Sequence, residues 1–109
     1  MLSVAPHPYI DVGGGESTLV DDLLARGYEN LTVLDISQTA IDADRKRLGR
    51  ASDRVHGLVG DITKVELAPS VYDVWHDRAA YHFLAAPSDR AAYVRQVVRA
   101  GVAPRILCP

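Results

Sequence analysis

Apolar residues in this chain fall into two patterns, short continuous runs and stripes at helical spacing. The runs are typical of strands buried on both faces of a sheet, and the stripes are typical of amphipathic helices. The runs predict strands over residues 9–12, 31–36, 55–59 and 71–75, with the start of a fifth at 105–108. The stripes fall between these runs, so the two patterns alternate along the chain.

Three segments carry apolar residues at helical spacing and are predicted to be helices. The first ends near Gly27, and its inward stripe consists of Leu19, Val20, Leu23 and Leu24. The second is capped by Ser37 and closed by Gly49, and its stripe consists of Ala40, Ile41, Ala43 and Leu48. The third runs from about Ser88 to Arg99, and its stripe consists of Ala91, Val94, Val97 and Val98.

The alternation of strands and helices predicts the fold class. Strands that alternate with amphipathic helices imply right-handed crossovers and an α/β fold with an open parallel sheet of about four to five strands. The helix normally expected between the third and fourth strands is absent, because residues 61–70 lack a helical stripe and include Pro69. We expect Trp75, in the fourth strand, to fill the core.

The composition narrows the class of protein. A chain of 109 residues, 48% of them hydrophobic, suits one core, so residues 1–109 are predicted to form a single domain. The apolar runs fall far short of the ~20 residues that span a bilayer, and residues 1–5 lack the basic region of a secretory signal. We therefore expect a cytoplasmic protein without a membrane partner. The net charge of -2 disfavours nucleic acid as a partner, and one cysteine, Cys108, provides no internal disulfide or metal framework.

Candidate ligand-binding residues lie at the carboxyl ends of the predicted strands, where open α/β sheets bind their ligands. The first strand leads into residues 13–15, three glycines that let the backbone approach a ligand closely. The second ends at Asp35, whose carboxylate suits the two hydroxyls of a ribose. The third leads to Asp61 and Ile62, an acid for an adenine amino group and an apolar side chain for its ring. Each feature alone is typical of an ordinary turn or helix cap, but together they predict a nucleoside-binding cleft.

From residue 9 to about residue 100, the chain resembles class I S-adenosylmethionine-dependent methyltransferases. Residues 11–15 (DVGGG), 34–37 (LDIS) and 60–62 (GDI) are similar to three successive motifs of that family. Residues 72–78 (YDVWHDR), with 81–84 (YHFL) following, are similar to a bacterial subgroup of small methyltransferases. The resemblance implies a Rossmann-like fold, S-adenosyl-L-methionine as cofactor and a methyl acceptor, which we expect to be a small molecule.

The resemblance also assigns roles to individual residues. It implies that Gly13 and Gly15 approach the methionine part of the cofactor, while Asp35 holds the ribose. The adenine then lies against Asp61 and Ile62. The full predicted cofactor-binding set is Asp11, Gly13, Gly14, Gly15, Ser17, Asp35, Ile36, Asp61, Ile62 and His76. Ser17 is a departure, because family members commonly have a glycine at its position.

The catalytic residues are not assigned by the sequence. His76 and Asp77 are candidates for a general base, since they follow the fourth strand and would face the methyl group. A structural hydrogen-bonding role for His76 is the preferred interpretation. A metal site built from His76, Asp77 and His82 is not predicted. Arg78 is expected to form an ion pair with Asp77 or with Asp73.

The end of the chain departs from the family pattern. Residues 100–105 replace the usual proline-glycine-glycine turn, which predicts a core truncated before the C-terminal antiparallel hairpin. The fourth strand would then be an exposed apolar edge, and we expect marginal stability or self-association through it. Two alternatives stay open: a catalytically inactive remnant or subunit completed by a partner, and a nicotinamide-dinucleotide domain. Thr18 disfavours the dinucleotide domain, whose fingerprint requires a glycine at that position.

Overall fold

A computed structural model of the chain shows a parallel sheet with helices on both faces. The structure describes residues 8–13, 18–67, 72, 74–77, 80–100 and 106–107. Its strands are β1 (Tyr9–Val12), β2 (Leu31–Asp35), β3 (Val55–Val59), β4 (Val74–Asp77) and β5 (Ile106–Leu107). Its α-helices are α1 (Leu19–Ala25), α2 (Gln38–Leu48) and α3 (Pro87–Arg99), with short 3-10 helices at Gly49–Arg54 and Tyr81–Phe83.

The strand order is that of a Rossmann-like sheet. The order is β3-β2-β1-β4-β5, and every neighbouring pair is parallel. The chain moves outward from β1 through β2 to β3 and then returns to the other side of β1. This reversal places the topological switch point between β1 and β4, the position where such sheets bind ligands. The predicted fold class is therefore confirmed.

Two separate cores cover the two faces of the sheet. Successive residues of a strand point to opposite faces, so Tyr9 packs toward α1 and α2 while Ile10 packs toward α3. The first core contains Tyr9, Val20, Leu23, Leu31, Val33 and Ile41. The second contains Ile10, Val12, Leu34, Ile62, Leu67, Tyr72, Trp75, Tyr93, Val97 and Ala100. Trp75 is completely buried, as the sequence predicts.

Helices α1 and α2 follow the predictions closely. Val20 and Leu23 are buried in α1, and Gly27 follows that helix with a φ of 91°. The side chain of Ser37 caps α2 by accepting a hydrogen bond from the backbone N–H of Ala40 at 3.1 Å. Arg47 of α2 binds Asp21 of α1 at 2.8 Å and so joins the two helices.

The buried face of α3 was predicted only in part. Its buried residues are Tyr93, Gln96 and Val97, and of these Val97 belongs to the predicted stripe. Val94 and Val98, predicted to point inward, are 49% and 67% exposed, and Ala91 is also exposed. Apolar periodicity missed Tyr93 and Gln96 because their polar groups are buried with partners of their own.

The position of β4 also differs from the prediction. The strand is Val74–Asp77 rather than residues 71–75, and the strand pairs with both β1 and β5. It is therefore an interior strand, and the prediction of an exposed β4 edge is wrong. Self-association through a sheet edge stays a prediction, and in the described sheet the edges are β3 and β5.

Two further expectations concern segments between elements. Residues 61–67 contain no helix or strand, as predicted for the connection after β3, and residues 68–70 lie outside the described residues. Among the described helices, none is both long and apolar enough to cross a membrane.

Candidate functional site

A cleft opens at the carboxyl ends of β1, β2 and β3. Its volume is about 450 Å³, within the range of ~300–1,000 Å³ typical of small-molecule sites. Its lining residues come from three strand ends and from the turn after β4. They are Val12, Gly13, Leu34, Asp35, Ile36, Gly60, Asp61, Ile62, Ala80, Phe83 and Leu84.

Gly13 turns the backbone away from β1 at the floor of the cleft. Its φ is 72°, in the left-handed region that favours glycine, and its N–H donates to the carbonyl of Leu34 at 2.7 Å. The turn is thereby attached to the end of β2. Gly14, Gly15 and Ser17, also predicted to bind the cofactor, lie outside the described residues.

Asp35 lies at the mouth of the cleft with its carboxylate held by the backbone. Its Oδ1 accepts a hydrogen bond from the N–H of Ser37 at 2.9 Å, and its carbonyl accepts one from Gly60 at 2.9 Å. These two bonds fix the end of β2 against the end of β3. Ile36, the next residue, is exposed and lines the same cleft.

Asp61 and Ile62 form the wall that follows β3. Asp61 Oδ1 accepts hydrogen bonds from the N–H and the hydroxyl of Thr63, at 2.8 and 2.7 Å. These bonds hold the pKa of the Asp61 carboxyl below its usual value, and Lys64 adds a smaller contribution in the same direction. The carboxylate therefore stays ionised at neutral pH. Ile62 is buried and presents an apolar side chain to the cleft.

The opposite wall is the turn of residues 80–84, which is held by Asp77. The Asp77 side chain is 1% exposed and accepts hydrogen bonds from the N–H of Ala80 at 2.5 Å and of Tyr81 at 3.1 Å. The hydroxyl of Tyr93 donates to the same carboxylate, and Trp75 Nε1 donates to that hydroxyl at 2.9 Å. Both oxygens of Asp77 are thus engaged in structural hydrogen bonds. Its predicted ion-pair partner, Arg78, lies outside the described residues, as does Asp73.

His76 and Asp11 form a pair beside the cleft. Nδ1 of His76 lies 3.0 Å from Oδ1 of Asp11, and both side chains are largely buried. Neither His76 nor Asp11 is among the described residues that line the cleft. The contact supports the hydrogen-bonding interpretation of His76, and the direct cofactor contacts predicted for both residues stay predictions.

The structure brings five of the predicted cofactor-binding residues to one cleft. They are Gly13, Asp35, Ile36, Asp61 and Ile62. Sequence reasoning missed the lining roles of Ala80, Phe83 and Leu84, although residues 81–84 belong to a segment that the family resemblance includes. The described residues contain no group of three or more His, Cys, Asp or Glu able to hold a metal ion.

The sheet order and the cleft at the carboxyl ends of its strands are those of a Rossmann-like α/β domain. The family model described as "Methyltransferase domain" matches residues 10–101. The chain belongs to this methyltransferase domain family. No curated protein matches the sequence.

Solved structures share this fold at low sequence identity. An assigned S-adenosyl-L-methionine-dependent methyltransferase from Methanococcus maripaludis is 20% identical with a TM-score of 0.77, covering 94% of this chain and 48% of its own. An S-adenosylmethionine-dependent methyltransferase from Mesorhizobium loti is 20% identical with a TM-score of 0.77, and the match covers 94% of this chain and 44% of that protein. The glycopeptide N-methyltransferase MtfA, complexed with S-adenosyl-L-homocysteine, is 23% identical with a TM-score of 0.76. The match covers 96% of this chain and 43% of MtfA. The chain therefore spans somewhat less than half the length of each of these proteins.

Proposed function

We propose that the chain binds S-adenosyl-L-methionine in the cleft at the carboxyl ends of β1–β3 and serves methyl transfer to a small-molecule acceptor. The observation that carries this proposal is the meeting of Gly13, Asp35 and Asp61 at one cleft, each from a different strand end. Their order along the chain is the order of the motifs that carry the family resemblance. The family membership supports the same conclusion.

The cleft has the chemistry that such a cofactor requires. A nucleoside needs hydrogen-bond acceptors for its hydroxyls and amino group, together with apolar surface for its base. Asp35 supplies a carboxylate beside the turn of Gly13, and Asp61 supplies a second one that remains ionised. Ile62 and Leu84 supply apolar walls on two sides. The residues that line the cleft therefore fit S-adenosyl-L-methionine.

Each residue then has a distinct role in binding. Asp35 holds the ribose hydroxyls, and its bond from Ser37 fixes the direction of the carboxylate. Asp61 accepts from the adenine amino group, and Ile62 packs on the ring. Gly13, with no side chain, lets the backbone approach the methionine part. Gly14, Gly15 and Ser17 are proposed to complete that part of the site.

The acceptor side is proposed to lie at the rim formed by residues 81–84. Phe83 is 84% exposed there although it is a large apolar residue, and His82 beside it is exposed as well. A solvent-facing aromatic side chain at the mouth of a cleft is suited to packing against a small organic acceptor.

When bound, S-adenosyl-L-methionine supplies an electrophilic methyl group on a positively charged sulfur. The chain's contribution is chiefly to position the reactants, which can lower the barrier of a bimolecular step by ~7–11 kcal/mol. Asp77 fixes the wall at residues 80–84 rather than moving a proton, since its oxygens already accept from three donors. His76 orients Asp11 through Nδ1, so we assign neither His76 nor Asp77 as a general base.

Calorimetric titration of the purified chain tests the proposal. We expect saturable binding of S-adenosyl-L-homocysteine and no binding of NAD, which serves as the control for a dinucleotide domain. A folded chain that binds neither compound would contradict the proposed function and favour an inactive remnant. Binding of NAD alone would assign the cleft to a dinucleotide. Turnover is then measured with a panel of small nucleophiles and radiolabelled S-adenosyl-L-methionine.

A further inference from the structure

Helix α3 presents two polar side chains to the interior, and both reach walls of the cleft. Gln96 is 8% exposed and Tyr93 is 3% exposed. The two residues are three positions apart, so they lie on the same face of the helix. Because burying a polar group without a partner is costly, each needs a defined acceptor. Gln96 donates to Ile62, which lines the cleft, and Tyr93 donates to Asp77, which holds the turn at residues 80–84.

Gln96 binds the wall that contains Ile62. Its amide Nε2 donates to the carbonyl of Ile62 at 2.9 Å and to the carbonyl of Val65 at 2.5 Å. The turn between these two carbonyls is also closed by the N–H groups of Lys64 and Val65, which donate to the carbonyl of Asp61. One side-chain amide thus holds both ends of a turn whose first residues line the cleft.

Tyr93 binds the opposite wall through Asp77. Its hydroxyl donates to the carboxylate that also holds the N–H groups of Ala80 and Tyr81. The ring of Tyr93 packs edge-on against the ring of Tyr81, with centroids 5.2 Å apart. The turn at residues 80–84 is therefore placed relative to α3 and not only relative to β4.

We propose that Gln96 and Tyr93 are positioning residues that set the separation of the two cleft walls, with α3 as their common support. The proposal rests on the proposed function, in that the walls are taken to enclose the adenosine part of the cofactor. Gln96 suits this role because one amide group offers two N–H donors to two carbonyls at once. An apolar residue of similar length would fill the same space without fixing either carbonyl.

The test compares Gln96→Met with Arg95→Met, a change at the adjacent and exposed position of the same helix. The first measurement is amide hydrogen exchange of Lys64 and Val65 in the ligand-free chain. The second is calorimetric affinity for S-adenosyl-L-homocysteine and for S-inosyl-L-homocysteine, in which an oxo group replaces the adenine amino group. The ratio of these affinities reports the fit of the base against Asp61 and Ile62.

We expect Gln96→Met to accelerate exchange at Lys64 and Val65 and to reduce the affinity ratio about tenfold, the equivalent of one misplaced hydrogen bond. Tyr93→Phe, which keeps the ring and removes the hydroxyl, should accelerate exchange at Ala80 and Tyr81 instead. Arg95→Met should leave the affinity ratio and the exchange of all four amides unchanged. A merely structural role would lower the melting temperature without altering the affinity ratio of the folded protein.

Wild-type exchange and an unchanged ratio in Gln96→Met would overturn the inference. Should that variant fail to fold, Gln96→Asn, which retains the amide on a shorter side chain, replaces it with the same expected outcomes. If the wild-type chain binds neither homocysteine compound, the proposed function fails. The exchange measurements then still decide whether α3 holds the two walls.

Discussion

His76 and Asp11 face each other from adjacent strands, with Nδ1 3.0 Å from Oδ1. They are register partners of β4 and β1, the two strands that flank the switch point of the sheet. The contact explains how a histidine occupies a strand that is otherwise enclosed by neighbours on both sides. It also places an acidic side chain in β1 two positions before Gly13, which lines the cleft.

Replacing His76 tests whether this contact is structural. We expect His76→Leu to reduce the free energy of unfolding by ~1–3 kcal/mol, because the buried carboxylate of Asp11 loses a hydrogen-bond partner. Urea denaturation measures the change, with His82→Leu at an exposed position as the control. Unchanged stability together with abolished methyl transfer would instead assign His76 to catalysis.

Replacing Asp35 tests the ribose assignment. Asp35→Ala should weaken binding of S-adenosyl-L-homocysteine by roughly tenfold to a hundredfold, since hydrogen bonds to a charged group contribute ~1.5–3 kcal/mol. Asp53→Ala, which removes an exposed carboxylate in a 3-10 helix away from the cleft, is the matched control. Equal affinities of the two variants in calorimetry would contradict the assignment.

The pKa of Asp61 predicts how binding depends on pH. The hydrogen bonds from Thr63 lower this pKa, so the carboxylate stays ionised, and its stabilising contacts persist, until the pH falls through the lowered value. Thr63→Val removes the hydroxyl donor and should return the pKa toward its usual value of ~3.9. We therefore expect the acid limb of ligand binding to move to higher pH in this variant. Coincident profiles for wild type and variant would show that Asp61 does not control that limb.

Replacing Leu23 tests the packing of α1 against the sheet. Leu23→Asp places a carboxylate in the core shared with Val20 and Ile41, and we expect it to abolish cooperative unfolding. Ala25→Asp adds the same charge at an exposed position of the same helix and should retain a cooperative transition. Circular dichroism during thermal unfolding distinguishes the two, and a cooperative transition for Leu23→Asp would refute this view of the core.

Much of the fold and part of the site were predictable from the sequence. The positions of β1, β2 and β3 follow from apolar runs, and the cap at Ser37 follows from its side-chain chemistry. Asp35 and Asp61 were predictable because Asp35 ends β2 and Asp61 lies two positions after β3, and parallel strands bring such ends to one edge. In these cases the information is local to a few residues.

What escaped prediction depends on distant partners. The strand β4 includes His76 and Asp77, and polar residues at these positions suggest a loop. In the structure His76 is paired with Asp11, and Asp77 accepts a hydrogen bond from Tyr93. In the same way Gln96 looks like a surface residue of α3, and its acceptor at Ile62 is 34 positions away. Periodicity ranks side chains by hydropathy and carries no signal for such pairings.

The position of α3 in the chain has a consequence for synthesis. The chain leaves the ribosome N-terminus first, at ~5–20 residues per second. Strands β1–β3 and the cleft residues up to Leu84 are made before the donors of Tyr93 and Gln96 exist. Until Gln96 emerges, the carbonyls of Ile62 and Val65 lack the side-chain donor that holds them. The cleft therefore gains its support from α3 only after every described residue that lines it has been translated.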